Sequence, residues 1–233
     1  VSASAFPSEP ISAYAVVVLC NVPRLETRDW DRLRTYVGDG GGLLVFSGDM
    51  IDTLNYNEHG YAAGEGVLPC AMSPPVTSGA VQADDPSVRF ASDELTHPVL
   101  ADFAEQTNSS LFLARIHRYM TVTSTDARAA VPLRYTDGRP ALISKTFATG
   151  ESNGGRIMLC TTSADTSWTN LPAKGDYVAL MVNLVTYLGA SQGPRRTLSV
   201  GDSVNERLSA RESAAGGRLS PTEELELFVL DRV

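Results

Sequence analysis

One stretch, Tyr14 to Asp49, constrains this chain more than any other. An apolar run, YAVVVLCNV, leads into PRLETRDWDRLRTYV, then a glycine cluster GDGGG, then a second apolar run LLVFSGD. Apolar residues on successive positions bury both faces of a strand, which is the pattern of a parallel sheet covered by helices. The segment between the runs reads as an amphipathic helix. Thr27 is placed to cap it, and Asp29 and Asp31 sit in the first turn, where the helix dipole favours negative charge. Trp30, Leu33 and Val37 share one face, and Gly38 with the glycines from 40 to 42 ends the helix. The second strand delivers Ser47, Gly48 and Asp49 to its carboxyl end, where open α/β sheets place ligand sites.

The 233 residues, 43% of them hydrophobic, suffice to bury a full core. A formal net charge of −8 and the lack of a basic stripe argue against nucleic acid and anionic membranes as partners. Cys20, Cys70 and Cys160 have neither CxxC nor zinc spacing. Cys20 and Cys160 read as core residues, and a disulfide framework is not expected. The apolar runs are too short to span a bilayer. The abrupt start, VSASAF, suggests a segment of something longer.

Further along, residues 1–13 read as a short extended segment and a turn, and Asp49 is placed to cap a short helix turning Met50, Ile51 and Leu54 inward. Residues 88–91 suggest a short strand, and Thr96-His97-Pro98 opens a helix through Phe103. Residues 110–123 alternate like extended chain. Two strands, 131–135 and 141–147, flank a tight turn at Asp137-Gly138. A buried strand, GRIMLCT, precedes a loop through Trp168. A helix from about Asp176 to Leu188 carries Tyr177, Leu180, Met181, Leu184 and Leu188 on its apolar face. Residues 1–190 thus form one α/β domain. Residues 191–233 read as a linker and the start of a β-rich segment or packing arm.

YAVVVLCNV, W-x-x-L-x-x-YV and GGGLLVFSGD together resemble the class I glutamine amidotransferase-like superfamily, and THPVL, DGRPALI and GRIMLCTTSADTSW agree with it. More narrowly, the set looks like the domain found in bacterial membrane proteins with a von Willebrand factor A domain, of the aerotolerance (Bat) type. The resemblance implies a three-layer, mainly parallel, flavodoxin-like α/β sandwich with an added antiparallel hairpin. It also implies a membrane-anchored bacterial parent. Enzymes of that superfamily use a glycine-flanked cysteine with a distant His and Glu. Here the corresponding strand ends Phe46-Ser47-Gly48-Asp49, and GRIMLCT is followed by Thr162-Ser163-Ala164-Asp165 without a histidine. Amidotransferase activity is therefore not implied.

The remaining candidates gather at the sheet's carboxyl edge. Ser47, Asp49 and Asp165, with Trp168 above them, form a possible polar-ligand or cation site, while Asn55 and His59 lie on a nearby loop. The plainer reading has Asp49 and Asp165 capping a helix and a turn, Asn55 serving turn chemistry, His59 exposed and Trp168 covering the core. His97 reads as bonding backbone and His117 as solvated. No catalytic residue, metal ligand or cofactor is assigned. The leading expectation is a non-catalytic module for protein interaction or assembly, its partners being other proteins or other domains of the parent chain. The alternative is a hydrolase, or a small-ligand or metal-binding domain, using the Ser47/Asp49/Asp165 edge.

Overall fold

A computed structural model of the chain describes residues 3–77, 87–93, 95–104, 106, 108–147, 154–190 and 227–230. The Tyr14–Asp49 stretch folds as strand β1 (Val16–Cys20), helix α1 (Thr27–Gly38) and strand β2 (Gly42–Phe46), with β1 and β2 parallel. The residue before the helix is Glu26, and no side chain caps it; Thr27 is the first helical residue. Arg32 of α1 holds the N-terminal segment, its Nη1 donating to the Phe6 carbonyl (3.1 Å) and its Nη2 to that of Glu9 (2.7 Å). Residues 3–8 and 11–13 both form 3-10 turns, so the extended part of the expected entry segment is replaced by helical turns.

Beyond β2 come a single turn, α2 (Thr53–Asn55), and a π-helical turn (Tyr56–Tyr61). Asp52, not Asp49, caps α2, accepting from the amides of Leu54 and Asn55, and Met50 and Leu54 face solvent. Strand β3 (Cys70–Thr77) pairs antiparallel with β4 (Arg118–Thr125) as a separate two-stranded sheet. Between them lie short helical turns, including α3 (Ala101–Ala104) and a 3-10 turn at Ser110–Leu113, so the extended chain expected from residue 110 begins only near 118. Residues 88 and 90 make isolated bridges to Ile116 and Tyr135. Strands β5 (Ala130–Arg134), β6 (Pro140–Phe147) and β7 (Gly155–Cys160) precede helix α4 (Asp176–Gly189). Strand β8 (Leu227–Leu230) lies parallel to β1. The rest of the expected linker and tail, 191–226 and 231–233, falls outside the described residues.

The main sheet has the order β5-β6-β7-β2-β1-β8. It is mixed: β7, β2, β1 and β8 pair in parallel, whereas β5–β6 and β6–β7 are antiparallel, as is β3–β4. The three-layer, mainly parallel, flavodoxin-like sandwich is therefore corrected. Connection length explains the antiparallel half. A parallel crossover needs a dozen or more residues, but the turn at Asp137-Gly138 and residues 148–154 are shorter and return each strand beside its predecessor. The hairpin thus supplies two of the sheet's six strands rather than forming an addition to it. Helices are few: among the described residues only α1 and α4 exceed two turns.

Period-two alternation splits the core. Val17, Leu19, Leu43, Val45, Ile157 and Leu159 face Trp30, Leu33 and Val37 of α1. Val16, Val18, Leu44, Phe46, Met158 and Cys160 face Leu180, Leu184 and Leu188 of α4. Gly155 permits the first packing: a Cβ there would sit 2.0 Å from the Gly41 carbonyl oxygen and 2.5 Å from that of Val37.

Candidate functional site

Because β1, β2 and β7 are parallel, their carboxyl ends meet at one edge and bring Asn21, Ser47, Asp49 and the segment 161–165 into one region. Ser47 is wholly buried; its amide donates to the Cys160 carbonyl (3.1 Å), and its hydroxyl donates to the same oxygen (2.9 Å). The Met72 sulfur lies 3.9 Å from that hydroxyl. This serine stitches β2 to β7 and offers no free nucleophile.

Asp49 is exposed and accepts from Asn21 Nδ2 at 2.8 Å. Asn21 Oδ1 in turn accepts from the Met50 amide at 2.9 Å. Asn21 has φ +51°, a left-handed conformation that asparagine tolerates better than most residues. The pair ties the exits of β1 and β2 together. Gly48 leaves room for it, since a Cβ there would meet Asn21 at 2.1 Å.

Asp165 accepts from the Ser167 amide (2.9 Å) and from the Ser167 hydroxyl, an Asx turn. Trp168 is buried in the α1-side core with the Arg118 guanidinium 5.1 Å from its ring. Asn55 is buried and spends its whole amide on structure. Its Oδ1 accepts from the Leu25 amide and Trp30 Nε1 (both 3.1 Å), and its Nδ2 donates to the Leu25 carbonyl (3.0 Å). His59 lines a different cleft together with Asn55, Arg24, Glu26 and Arg28. The fold thus brings Ser47, Asp49 and the start of the Asp165 loop to one edge, but Ser47 and Asp165 hold backbone groups and Asp49 holds the Asn21 side chain, and His59 is not placed with them.

Cys160 is buried as expected, whereas Cys20 is only partly buried against the α4-side core. His97 Nδ1 accepts from the Val99 amide (3.3 Å); burial, and then Arg156, lower its pKa. His117 is exposed. All three cysteines are free, and burial pushes the Cys70 and Cys160 thiols up to about 12. Among the described residues, no group of three or more His, Cys, Asp or Glu could hold a metal ion.

Two polar arrangements lie elsewhere. Lys145 of β6 points into the α1-side core with its side chain 0% exposed. Its Nζ lies 2.6 Å from Asp126 Oδ2 (side chain 4% exposed) and donates to the Gly66 carbonyl at 2.7 Å. Arg128 completes the cluster, bonding Asp126 through Nε (3.0 Å) and Nη2 (2.8 Å). The Arg128 hydrogen bonds hold the Asp126 carboxyl far below the usual carboxylate range, against the effect of burial. Burial lowers the Lys145 pKa and outweighs the opposing pull of Asp126. The cluster anchors the turn after the π-helix, where Ala62, Ala63 and Gly64 all have positive φ. Its sequence signal was a lysine at an inward position of the run ALISKTF.

The second arrangement is a cleft of about 430 Å³ beside the β5–β6 hairpin, with Arg89, Asp93, Phe112, Pro132 and Arg134 among its lining. Nothing in the sequence pattern brings residues 89–93 to the hairpin, because the bridge from Phe90 to Tyr135 is non-local.

No family model matches this chain, and no curated protein matches it. Solved structures do resemble it. The cytoplasmic protein STM1381 from Salmonella typhimurium LT2 aligns over 76% of this chain and 73% of its own, with 16% identity and a TM-score of 0.57. The mmIFT52 N-terminal domain aligns over 78% and 80%, with 12% identity and a TM-score of 0.50. A β-galactosidase from Bacillus circulans sp. alkalophilus aligns over 76% of this chain but 23% of its own, with 18% identity and a TM-score of 0.46. At these identities the likeness is one of fold alone.

The Salmonella protein and the mmIFT52 domain overturn the amidotransferase-like resemblance, together with its narrower link to von Willebrand factor A and Bat-type proteins. The motifs that carried it, YAVVVLCNV and GGGLLVFSGD, specify a parallel strand–helix–strand unit, which many α/β folds share. The membrane-anchored parent rested on the same resemblance and is left without that support. Among the described residues no helix is long and apolar enough to cross a membrane.

Proposed function

We propose that this chain is a non-catalytic module serving protein interaction or assembly, its partner being another protein or another domain of the same parent chain. The observation that carries the reading is the state of Ser47. The one hydroxyl on the β2 exit is buried and donates to the Cys160 carbonyl, whereas a nucleophilic serine needs an accessible oxygen and a base within hydrogen-bond reach. The outer surface of α4 supplies the interaction side of the argument. Val178 and Val182, one turn apart, are 68% and 56% exposed. Paired apolar side chains on one helix face suit a protein partner better than solvent.

The test places a photocrosslinking amino acid at position 182 in cells, with Val178→Asp as the competing variant and a substrate screen on Ser47→Ala. The expected result is a defined crosslinked species that Val178→Asp removes without unfolding the domain, and no hydrolytic turnover that differs between the natural chain and Ser47→Ala. Turnover abolished by Ser47→Ala would overturn the reading.

A further inference from the structure

We propose that the cleft beside the β5–β6 hairpin binds a small organic monoanion, a carboxylate carried on a planar or apolar body. The proposal goes beyond the interaction reading and does not depend on it.

The argument starts from pairing. Residues 89–91 run antiparallel to 134–136: Phe90 bridges Tyr135, the Ala91 amide donates to the Arg134 carbonyl (2.9 Å), and the Thr136 amide donates to the Arg89 carbonyl (2.8 Å). Phe90 and Tyr135 are buried, with stacked rings 5.7 Å apart. Their neighbours on both segments point the other way, so Arg89, Ala91, Arg134 and Thr136 share the outer face. Two arginines therefore stand diagonally across one small ladder, within interacting range, on a chain whose net charge is −8.

Among the described residues nothing neutralises either guanidinium. Arg134 Nη1 donates to the Gly138 carbonyl (3.0 Å), which fixes one corner of its fork, and neither arginine makes an ion pair among the described residues. Asp93 lines the same cleft without pairing with either. Two like charges held side by side repel, and an anion seated between them removes that repulsion while accepting charge-assisted hydrogen bonds.

The walls set the rest of the ligand. Phe112, Val131 and Pro132 line the cleft beside the arginines and suit an apolar or planar body. Its volume of about 430 Å³ lies within the range of small-molecule sites. Two arginines and one aspartate leave the lining a single net positive charge, which favours a monoanion over a phosphate dianion. Pro132 lacks an amide hydrogen and sits on the edge strand, so it blocks an incoming β-strand and disfavours an extended peptide as occupant.

The experiment is an amide-resolved NMR titration of the full chain with benzoate, with its neutral isostere benzamide, and with phenyl phosphate. Saturable benzoate shifts are expected at Arg89, Ala91, Arg134 and Thr136, with a dissociation constant below about 10 mM. Benzamide should produce none, and phenyl phosphate should bind more weakly than benzoate. Arg89→Gln and Arg134→Gln should each weaken benzoate about tenfold, the loss of one charge-assisted contact. Both arginines are exposed, so the folded spectrum should persist. No saturable shift at these residues would overturn the proposal, as would equal binding of benzamide or unchanged affinity in both variants. Tighter binding of phenyl phosphate would overturn the monoanion class. The benzamide comparison decides the matter on the natural chain even if a variant fails to fold.

Discussion

Replacing Asp126 with asparagine keeps the shape of the buried cluster and removes its negative charge. Lys145 then holds an ammonium group, 0% exposed, with carbonyl oxygens such as that of Gly66 (2.7 Å) but no counter-charge. Breaking a buried pair by removing one partner costs about 3–5 kcal/mol. For a domain of this size that corresponds to a fall in Tm of roughly 6–20 °C. The pH dependence separates this mechanism from a simple packing defect. In the natural chain Asp126 opposes the lowering of the Lys145 pKa by burial. In the variant that support is gone, so folded Lys145 loses its proton at lower pH while the unfolded chain keeps it up to about 10.4. In that window the unfolded state binds one more proton, and stability rises with pH at up to about 1.4 kcal/mol per unit. The deficit of Asp126→Asn should therefore be largest near neutrality and shrink toward pH 10. On the acid side the sign reverses. Asp126 has a depressed folded pKa, so its contribution is present above the ordinary carboxylate value and is lost as pH falls below about 3.9. Urea unfolding from pH 3 to 10 measures all of this. A deficit under about 1 kcal/mol at pH 7, or one that stays constant from pH 7 to 10, would refute the reasoning.

Three other substitutions and one labelling experiment probe separate parts of the fold. Asn55→Ala strips partners from the Leu25 amide and Trp30 Nε1 at once; two unsatisfied buried donors should cost roughly 2–4 kcal/mol in chemical denaturation. Ser47→Ala removes one neutral hydrogen bond and should cost only about 1 kcal/mol, with the same fold by circular dichroism. Gly155→Ala would force a Cβ against the carbonyl oxygens of Gly41 and Val37, and backbone cannot move aside as a side chain can; the variant should lose its cooperative unfolding transition. Cys70 and Cys160 are buried with raised thiol pKa values, and neither should react with a disulfide reagent at pH 8 until denaturant is added.

The strand–helix–strand unit from residue 16 to 46 was the most legible. The successive apolar positions of β1 and β2 and the face formed by Trp30, Leu33 and Val37 act locally, so the strand–helix–strand unit could be read from them. The sheet's overall type could not. A run such as ALISKTF has the same composition whether its neighbour lies parallel or antiparallel, and only the short connections at 135–139 and 148–154 decide it. Family-like motifs misled for a related reason, because GGGLLVFSGD records a strand exit that many folds use. At the edge the sequence supplied the correct neighbours, Ser47 and Asp49, but not their engagement. That depends on the Cys160 carbonyl, 113 positions from Ser47, and on the left-handed turn at Asn21. Asn55 looked like loop chemistry and is a buried bracket, because Leu25 and Trp30 fold back on it. The Arg89–Arg134 face was invisible, being created by pairing between segments more than forty residues apart.

The central claim is that the polar carboxyl edge of the sheet is a structural seam rather than a reaction centre. Its most direct test is intact-mass and peptide-level detection of a fluorophosphonate adduct on the native chain. The account predicts no adduct at Ser47, because its oxygen is buried and donates to the Cys160 carbonyl. Stoichiometric modification of Ser47 under native conditions, absent in Ser47→Ala, would contradict it.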